Sequence, residues 1–179
     1  MATYIALLRG INLGNHNKIT MRELEDTCAG IGWSVLAIYL RSGNVVFGAP
    51  RQQPDALGDA LSDALAQEFG YDVPALVRTD RELASIASSN PLLADGADPE
   101  HCHVTFLRDA PTKAVIADID PAAGKGDDFA VVGREVYLHC PKGYGRSRLT
   151  NPFWERRLAT VATTRNWRTV NALVELAGG

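Results

Sequence analysis

An α+β fold is predicted by the order of apolar segments and turn signals along the 179-residue chain. In the first half, short apolar runs typical of strands alternate with segments of helical periodicity in the order β-α-β-β-α-β. The second half follows a similar plan, and residues 89–98, rich in Ser, Asn, Pro, Ala and Asp, are the predicted linker between them. Since this order is that of the ferredoxin-like sandwich, we predict two ferredoxin-like subdomains. The first is residues 1–88 with a connecting helix, and the second is residues 99–179 with an extra C-terminal helix.

The strands predicted in the first half are apolar runs bounded by turn residues, at 4–8, 35–40, 45–47 and 73–77. Two helices lie between them. Thr20 and Glu23 form a capping box at the start of the first helix. Pro54 opens the second helix, which Gly70 ends. Thr79 is expected to cap the connecting helix.

The second half is predicted to contain strands at 103–107, 129–132 and 135–139, the last two joined as a hairpin. A short helix is predicted at 111–119. Asn151 is expected to cap the next helix, with Pro152 at its first position, and Asn166 to cap a final helix over 167–177. Residues 163–167 are predicted to form a polar loop before that helix.

Two polar loops of the first half are expected to meet at one edge of its sheet. In a split β-α-β unit the first strand and the turn between the second and third strands finish at the same end. The candidate ligand contacts at this edge are Arg9, Asn12, Arg41, Ser42 and Asn44. Asn is also favoured in tight turns, so Asn12 and Asn44 have an alternative role in turning the chain, whereas turn chemistry does not require Arg9.

The strongest candidate for anion contact is the loop Pro141-Lys-Gly-Tyr-Gly-Arg-Ser-Arg148. Its glycines allow a ligand to approach the backbone, its cations have no acidic neighbour in the loop, and its tyrosine offers a ring for stacking. The predicted contacts here, together with one arginine of the later polar segment, are Lys142, Tyr144, Arg146, Ser147, Arg148 and Arg165. The alternative is that these arginines pair with carboxylates elsewhere in the chain. The G-x-x-x-x-G-K-[ST] spacing of a P-loop is absent.

The charge distribution indicates a directed basic surface. The net charge of −3 argues against general coating by nucleic acid. Residues 134–168 nevertheless carry eight basic and two acidic side chains, a net charge of +6, which leaves −9 for the remainder of the chain. Such a segment suits a phosphate, a carboxylate or a nucleic-acid strand.

Histidines and nucleophiles give a weaker signal. His103 and His139 are expected to face each other on neighbouring strands, with His101 on the same side as His103, an arrangement that could ligate zinc. No acidic ligand and no C-x-x-C spacing supports this, and we predict neither a metal nor a cofactor. Ser147 and Cys140 are potential nucleophiles, but no Gly-x-Ser-x-Gly elbow or orienting carboxylate is recognisable, so catalytic residues are left unassigned.

Three cysteines without paired spacing predict reduced thiols and therefore a cytoplasmic location. The apolar run at 4–8 is too short for the hydrophobic region of a signal peptide. No apolar run approaches the length of a membrane span, so no membrane partner is predicted.

Six segments carry a family resemblance: Leu8-Arg-Gly-Ile-Asn-Leu-Gly14, Lys18-Ile-Thr-Met-Arg-Glu-Leu24, Tyr39-Leu-Arg-Ser-Gly-Asn-Val-Val-Phe47, Val136-Tyr-Leu-His139, Gly143-Tyr-Gly-Arg-Ser-Arg-Leu149 and Ala162-Thr-Thr-Arg-Asn-Trp167. Together they resemble the uncharacterised bacterial family named domain of unknown function 1697, over residues 3–176. The resemblance implies a compact intracellular α+β protein with two subdomains, and it implies no reaction. Leu40 and Arg41 stand where the family often shows Ile-Gln, so Arg41 adds positive charge at this turn.

The function predicted from the sequence is binding of an anionic, phosphate-bearing small molecule or of single-stranded nucleic acid through these loops. One alternative is an enzyme acting on a phosphorylated or carboxylated metabolite, with His139 or Tyr144 transferring a proton. Another is a non-catalytic interaction module, such as a homodimer that sets the basic segment of one chain against the acidic body of the other.

Overall fold

The computed structural model describes residues 1–178, which form two compact units. The first unit contains Met1–Ser85 and residues 172–178, and the second contains Ile86–Asn171. Each unit holds a four-stranded antiparallel sheet together with helices, so the predicted α+β class is confirmed. Within the described residues, no helix combines the length and the apolar character needed to cross a lipid bilayer.

The elements of the first unit are the strands β1 (Ala2–Leu8), β2 (Ser34–Tyr39), β3 (Asn44–Ala49) and β4 (Ala75–Thr79) and the helices α1 (Met21–Gly30) and α2 (Pro54–Phe69); α3 (Asp80–Ser88) follows β4. The strands pair in the order β2-β3-β1-β4, so β1 is hydrogen-bonded on both sides. β4 begins two residues later than predicted. Val73 is buried without being part of the strand, because burial in a core does not require strand pairing.

Local signals determine where the helices of this unit begin and end. The Thr20 hydroxyl accepts a hydrogen bond from the Glu23 N–H at 3.1 Å, and the Glu23 carboxylate accepts one from the Thr20 N–H at 2.8 Å. This is the predicted capping box, and the backbone hydrogen bond from Thr20 is the main cause that lowers the pKa of Glu23. Helix α2 ends at Gly70, which adopts a left-handed φ of 70°.

The core of the first unit lies between the two helices and one face of the sheet. Leu24 of α1 and Leu57 and Leu61 of α2 are buried in it. Trp33 stacks on Phe47 of β3, with ring centroids 3.5 Å apart. The three leucines are buried because their spacing in the sequence places them on the face of each helix that contacts the sheet.

Helix α2 approaches β4 so closely that a side chain does not fit at Gly58. A Cβ atom added there would clash with the carbonyl oxygen of Ala75. One turn later, the Ser62 hydroxyl donates to the Gly58 carbonyl at 3.0 Å and accepts from the Ala75 N–H at 3.0 Å. Gly58 therefore allows the helix to approach the first residue of the strand, and the two hydrogen bonds of Ser62 connect them.

The elements of the second unit are the strands β5 (Cys102–Leu107), β6 (Asp128–Val132), β7 (Glu135–His139) and β8 (Ala162–Asn166) and the helices α4 (Pro91–Ala94), α5 (Lys113–Ala117) and α6 (Asn151–Leu158); α7 (Trp167–Leu176) follows β8 and is divided between the two units. Short 3-10 turns lie at Pro99–His101 and Tyr144–Arg146. The strands pair in the order β6-β7-β5-β8, all antiparallel, so β5 takes the central position that β1 takes in the first unit. Helix α4 lies inside the segment predicted as a linker.

Strand β8 replaces the loop predicted at 163–167, and that prediction is wrong. Thr163 and Thr164 have polar hydroxyls but also the branched Cβ that favours strands. The Thr164 hydroxyl lies 2.8 Å from the Thr105 hydroxyl on the neighbouring strand β5. Pairing with β5 satisfies the backbone of this polar segment, which its composition alone does not indicate.

Helix α6 is capped by Thr150 rather than by Asn151, because the Thr150 hydroxyl accepts the hydrogen bond from the Phe153 N–H. Asn151 is the first helical residue, and its side chain instead accepts from the Thr164 hydroxyl at 2.6 Å. The predicted cap of α7 is confirmed, since Asn166 accepts from the Thr169 N–H at 2.8 Å.

We predict that Gly58→Ala destabilises the protein by about 1–3 kcal/mol because the added methyl group must push α2 away from β4. Gly→Ala inside a helix usually raises the free energy of unfolding by about 0.5–1 kcal/mol. Urea unfolding measures the difference. Gly30→Ala, at the last residue of α1 where an added Cβ meets nothing within 4 Å, is the matched control and should be neutral or slightly stabilising. A stable Gly58→Ala variant would contradict the close approach.

Candidate functional site

The two polar loops of the first unit lie against each other at the end of β1. The Leu8 N–H donates to the Gly43 carbonyl at 2.9 Å, and the Asn12 side chain donates to the Arg41 carbonyl at 2.9 Å. Gly43 has a φ of 82°, and a Cβ there would lie 2.7 Å from Ile11 Cδ1. The turn after β2 therefore needs glycine both for its conformation and for its contact with the loop after β1.

The amides of Asn12 and Asn44 are used within these loops. Asn12, with a left-handed φ of 53°, donates to the Ile19 carbonyl at 2.9 Å and accepts from the Ile19 N–H at 3.0 Å. Asn44 is fully buried and donates to the Tyr39 carbonyl at 2.7 Å and to Ser42 Oγ at 3.2 Å. These contacts favour the turn-forming alternative for both asparagines.

Three other candidates remain at this edge of the first unit. Arg9 is half-buried, while Arg41 and Ser42 are exposed. Arg41 and Lys18 line a cavity of about 560 Å³ together with Glu23, whose carboxylate accepts the capping hydrogen bonds of Thr20. The cavity therefore has two cations and one carboxylate in its lining.

In the second unit, the loop after β7 is ordered by its own backbone. The Gly143 N–H donates to the Cys140 carbonyl at 2.9 Å, and the Ser147 N–H donates to the Tyr144 carbonyl at 3.0 Å. The Ser147 hydroxyl accepts from the N–H of Leu149, a fully buried residue that anchors the end of the loop. Gly143 adopts a φ of 88°, at which the backbone of a residue with a side chain would be strained.

The cations of this loop face solvent. Lys142, Arg146 and Arg148 are all exposed. Over residues 1–178, none of the three side chains forms an ion pair or a hydrogen bond. Within the described residues, Arg146 and Arg148 therefore do not form the ion pairs with carboxylates of the chain that the alternative predicted. Three positive charges within seven residues create a local positive potential.

An aromatic pair connects this loop to a cleft. Tyr144 stacks on His103 of β5, with ring centroids 4.8 Å apart. His103 also lines a cleft of about 540 Å³, together with Trp167 and Arg168 at the start of α7. Burial lowers the pKa of His103, so its imidazole is neutral at pH 7. The buried Nδ1 atom of this ring has no hydrogen-bond partner among the described residues.

Arg165 lies apart from the exposed cations. Its side chain is buried and donates to the Thr163 hydroxyl at 2.8 Å and to the Thr164 carbonyl at 2.9 Å. Burial lowers the pKa of Arg165 to about 10, and an electrostatic interaction with Tyr144 opposes this shift. The guanidinium stays charged at neutral pH and donates to these two partners within β8.

The predicted pairing of His103 with His139 is wrong. In the observed register His103 lies opposite Leu138, and His139 lies opposite Cys102. Neighbouring positions point to opposite faces of a sheet, so the two rings are on different sides. His101 instead contacts Asp98 at 3.1 Å. Over the described part of the chain, no group of three or more His, Cys, Asp or Glu side chains could hold a metal ion.

The cysteines do not have the properties of nucleophiles. All three are buried and free. Burial raises the pKa of Cys140 to about 11 and that of Cys28 to about 12, and it also raises the pKa of Cys102. The thiolate, which is the reactive form, is therefore scarce at neutral pH.

Sequence reasoning missed the cleft residues Arg168, Trp167 and Glu100 as candidate contacts. Arg168 belongs to the basic segment, so its charge was a usable signal. Its position beside His103 follows from the pairing of His103 with Asn166 across β5 and β8. Because β8 was predicted as a loop, this neighbourhood could not be derived from the sequence.

We predict that Asn12→Gly lowers the free energy of unfolding by about 1–3 kcal/mol, because glycine tolerates the left-handed φ but leaves the partners of the amide without hydrogen bonds. Asn15→Gly, on the same loop and exposed, is the control and should cost less than about 1 kcal/mol. Chemical denaturation compares the two. Equal losses would mean that backbone flexibility, and not the amide, stabilises the loop.

A comparison of folds finds similarity to a solved structure, that of the conserved bacterial protein SP0830 from Streptococcus pneumoniae. The TM-score is 0.71 at 18% sequence identity, and the match covers 98% of this chain and 98% of that chain. At this identity the likeness concerns the fold alone. No curated protein shows significant similarity to the chain.

A family model, described as protein of unknown function (DUF1697), matches residues 1–137. The matched range includes the loops after β1 and β2. The segments Gly143–Leu149 and Ala162–Trp167, which contributed to the resemblance seen in the sequence, lie beyond it. Since the match covers well over half of the 179 residues, the chain belongs to the DUF1697 family, as its loop sequences predicted.

Proposed function

We propose that the second unit binds a phosphate-bearing ligand, with single-stranded nucleic acid as the favoured class. The observation that carries this proposal is the loop after β7, where Lys142, Arg146 and Arg148 are exposed and have no ion-pair partner in the described residues. Holding three like charges together without a counter-charge costs free energy, which a bound polyanion would offset.

The neighbouring groups suit a nucleotide. Cations at positions i, i+4 and i+6 of an ordered loop are able to contact successive phosphates of a strand. The stacked rings of Tyr144 and His103 are partly exposed and provide aromatic surface for bases or sugars, while the mostly buried Trp167 lines the cleft beyond them. Because His103 is neutral at pH 7, it acts there as an aromatic and hydrogen-bonding group and not as a further cation.

Single-stranded nucleic acid is favoured over an isolated nucleotide because the cations lie on an exposed loop and the adjoining cleft is open to solvent. A small phosphate ligand is typically enclosed, with most of its surface buried. An extended strand needs only a basic track and stacking platforms. Ser147 and Arg165 serve this site indirectly, since Ser147 orders the loop end and the buried Arg165 interacts electrostatically with Tyr144.

We propose that the edge of the first unit is a second anion-binding site, independent of the loop in the second unit. Arg41 and Ser42 are exposed there, Lys18 shares the cavity lining with Arg41, and Arg9 is the half-buried cation at the end of β1. Asn12 and Asn44 contribute by holding the two loops in place. This contact is weaker than that of the second unit because Glu23 lies in the same cavity.

We also propose that the protein consists of two ferredoxin-like subdomains and is located in the cytoplasm. The element order β-α-β-β-α-β and the strand orders β2-β3-β1-β4 and β6-β7-β5-β8 support two ferredoxin-like subdomains, at residues 1–88 and 99–179. The three free, buried cysteines support a reducing, cytoplasmic environment.

We predict that a labelled single-stranded oligonucleotide binds at ~50 mM salt and loses at least about tenfold in affinity at ~200 mM salt, because counterions compete with the loop cations. The double variant Arg146→Glu, Arg148→Glu should weaken binding by at least about tenfold at the lower salt concentration. Fluorescence anisotropy measures both effects.

The control is Lys113→Glu, Lys125→Glu, which makes the same change in net charge at two exposed lysines of the second unit outside the loop. It should change the affinity by less than about twofold. Equal weakening by both double variants would show attraction to net charge alone. Absence of binding at low salt would contradict the nucleic-acid proposal, and competition by a mononucleotide at equal affinity would assign the loop to a small ligand.

A further inference from the structure

We infer that the cleft next to Tyr144 binds a nucleobase and selects guanine. This is the cleft of about 540 Å³ in the second unit, and its lining includes Glu100, His103, Trp167 and Arg168. The volume is within the range of small-molecule sites, about 300–1,000 Å³. The inference rests on the proposed function, because it names the base that a bound strand places in this cleft. It uses the charges of Glu100 and Arg168 and not those of the 141–148 loop.

The lining comes from two segments that the sheet holds side by side. His103 of β5 is paired with Asn166 of β8, and residues directly opposite each other in an antiparallel pair present their side chains on the same face. Glu100 belongs to the 3-10 turn that leads into β5, and Arg168 belongs to the first turn of α7, which follows β8 directly. Since β5 begins where β8 ends, both charged residues lie at the same end of the sheet.

Glu100 and Arg168 bring opposite charges to the cleft without pairing with each other. Both are exposed, and over residues 1–178 neither side chain forms an ion pair or a hydrogen bond. Arg168 also lies in the first turn of a helix, where the positive end of the helix dipole disfavours a cation. A ligand that accepts from Arg168 and donates to Glu100 gains charge-assisted hydrogen bonds with both.

The rest of the lining suits a flat, uncharged ring. Trp167 is mostly buried and forms one wall of the cleft. His103 is held in place by stacking on Tyr144, with ring centroids 4.8 Å apart. Burial lowers the pKa of His103, so the imidazole adds no charge to the cleft at neutral pH. Aromatic walls of this kind favour a planar base over an aliphatic ligand.

Guanine matches the two charged residues better than the other bases do. Its O6 and N7 atoms are adjacent acceptors, to which an arginine donates a bidentate pair of hydrogen bonds. Its N1–H and N2 amino groups are adjacent donors, which a carboxylate accepts through its two oxygens. Adenine places a donor beside its N7 and an acceptor at N1, so neither pair forms. The pyrimidines have no N7 and do not form the bidentate pair with Arg168.

The first test compares guanosine and adenosine 5′-monophosphates, which carry the same phosphate and differ only in the base. Each is titrated into the whole protein, labelled with nitrogen-15, and followed by NMR at neutral pH. A salt concentration of ~200 mM weakens phosphate contacts with the exposed loop cations. Guanosine monophosphate should bind at least about tenfold more tightly and shift the amides of Glu100, His103 and Arg168.

Glu100→Gln should reduce this preference to less than about threefold, because an amide offers one acceptor oxygen where the carboxylate offers two. Its affinity for adenosine monophosphate should stay the same, which a general loss of structure would not produce. Arg168→Gln should weaken binding of guanosine monophosphate by about tenfold. Glu175→Gln, also exposed on α7 but outside the lining, is the matched control and should leave the preference unchanged.

A second test separates this inference from the proposed function. An oligothymidine of about nine nucleotides with one central dG should bind at least about tenfold more tightly than the same strand with dA. Equal binding of the two strands would overturn the inference and leave nucleic-acid binding intact. Selective binding of guanosine monophosphate without binding of either strand would support the inference and contradict the nucleic-acid proposal.

The mononucleotide titration overturns the inference in three cases. The first is equal affinity for the guanosine and adenosine compounds, and the second is no binding of either. The third is chemical-shift changes outside the cleft. A loss of preference in Glu175→Gln as large as in Glu100→Gln would also contradict it, because the effect would then reflect general negative charge.

Discussion

Pairing of a central strand on both sides determines where the candidate binding loops lie. β1 lies between β3 and β4, and β5 lies between β7 and β8, so the backbone groups of both strands are hydrogen-bonded within the sheet and the polar loops lie at the strand ends. Pairing of Leu7 with Asn44 sets the loop after β1 beside the turn between β2 and β3. Pairing of Cys102 with His139 sets the start of β5 beside the loop that carries Tyr144, which is how His103 comes to stack on that ring.

Residue type alone does not distinguish a binding group from a structural one in these loops. Asn12 and Asn44 have the side chains of ligand contacts, but their amides are hydrogen-bonded to the backbone of their own loops. Arg146 and Arg148 are exposed and carry charge that the described residues do not compensate. The decisive difference is whether hydrogen bonding and charge are already satisfied within the fold, since only an unsatisfied group gains free energy from a ligand.

The second unit separates opposite charges on one small sheet. Its cationic loop follows β7, while the carboxylates of Asp95 and Asp128 line a cavity at the edge strand β6. The low net charge of the chain, −3, conceals both surfaces, because it is the sum over 18 basic and 21 acidic residues. Local potential, and not total charge, governs which ligands a surface attracts.

The sequence by itself determined the elements that depend on neighbouring residues. These include the capping box at Thr20, the end of α2 at Gly70, the cap of α7 at Asn166 and the polar character of the loops, all governed by interactions within about one helical turn. Tertiary structure decided what depends on distant partners: that residues 162–166 form a strand, that His103 and His139 lie on opposite faces, and that Arg165 is buried while Arg146 is exposed. Strand pairing and burial join residues tens of positions apart, and a shift of one residue in register reverses which face a side chain occupies, so no local pattern contains that information.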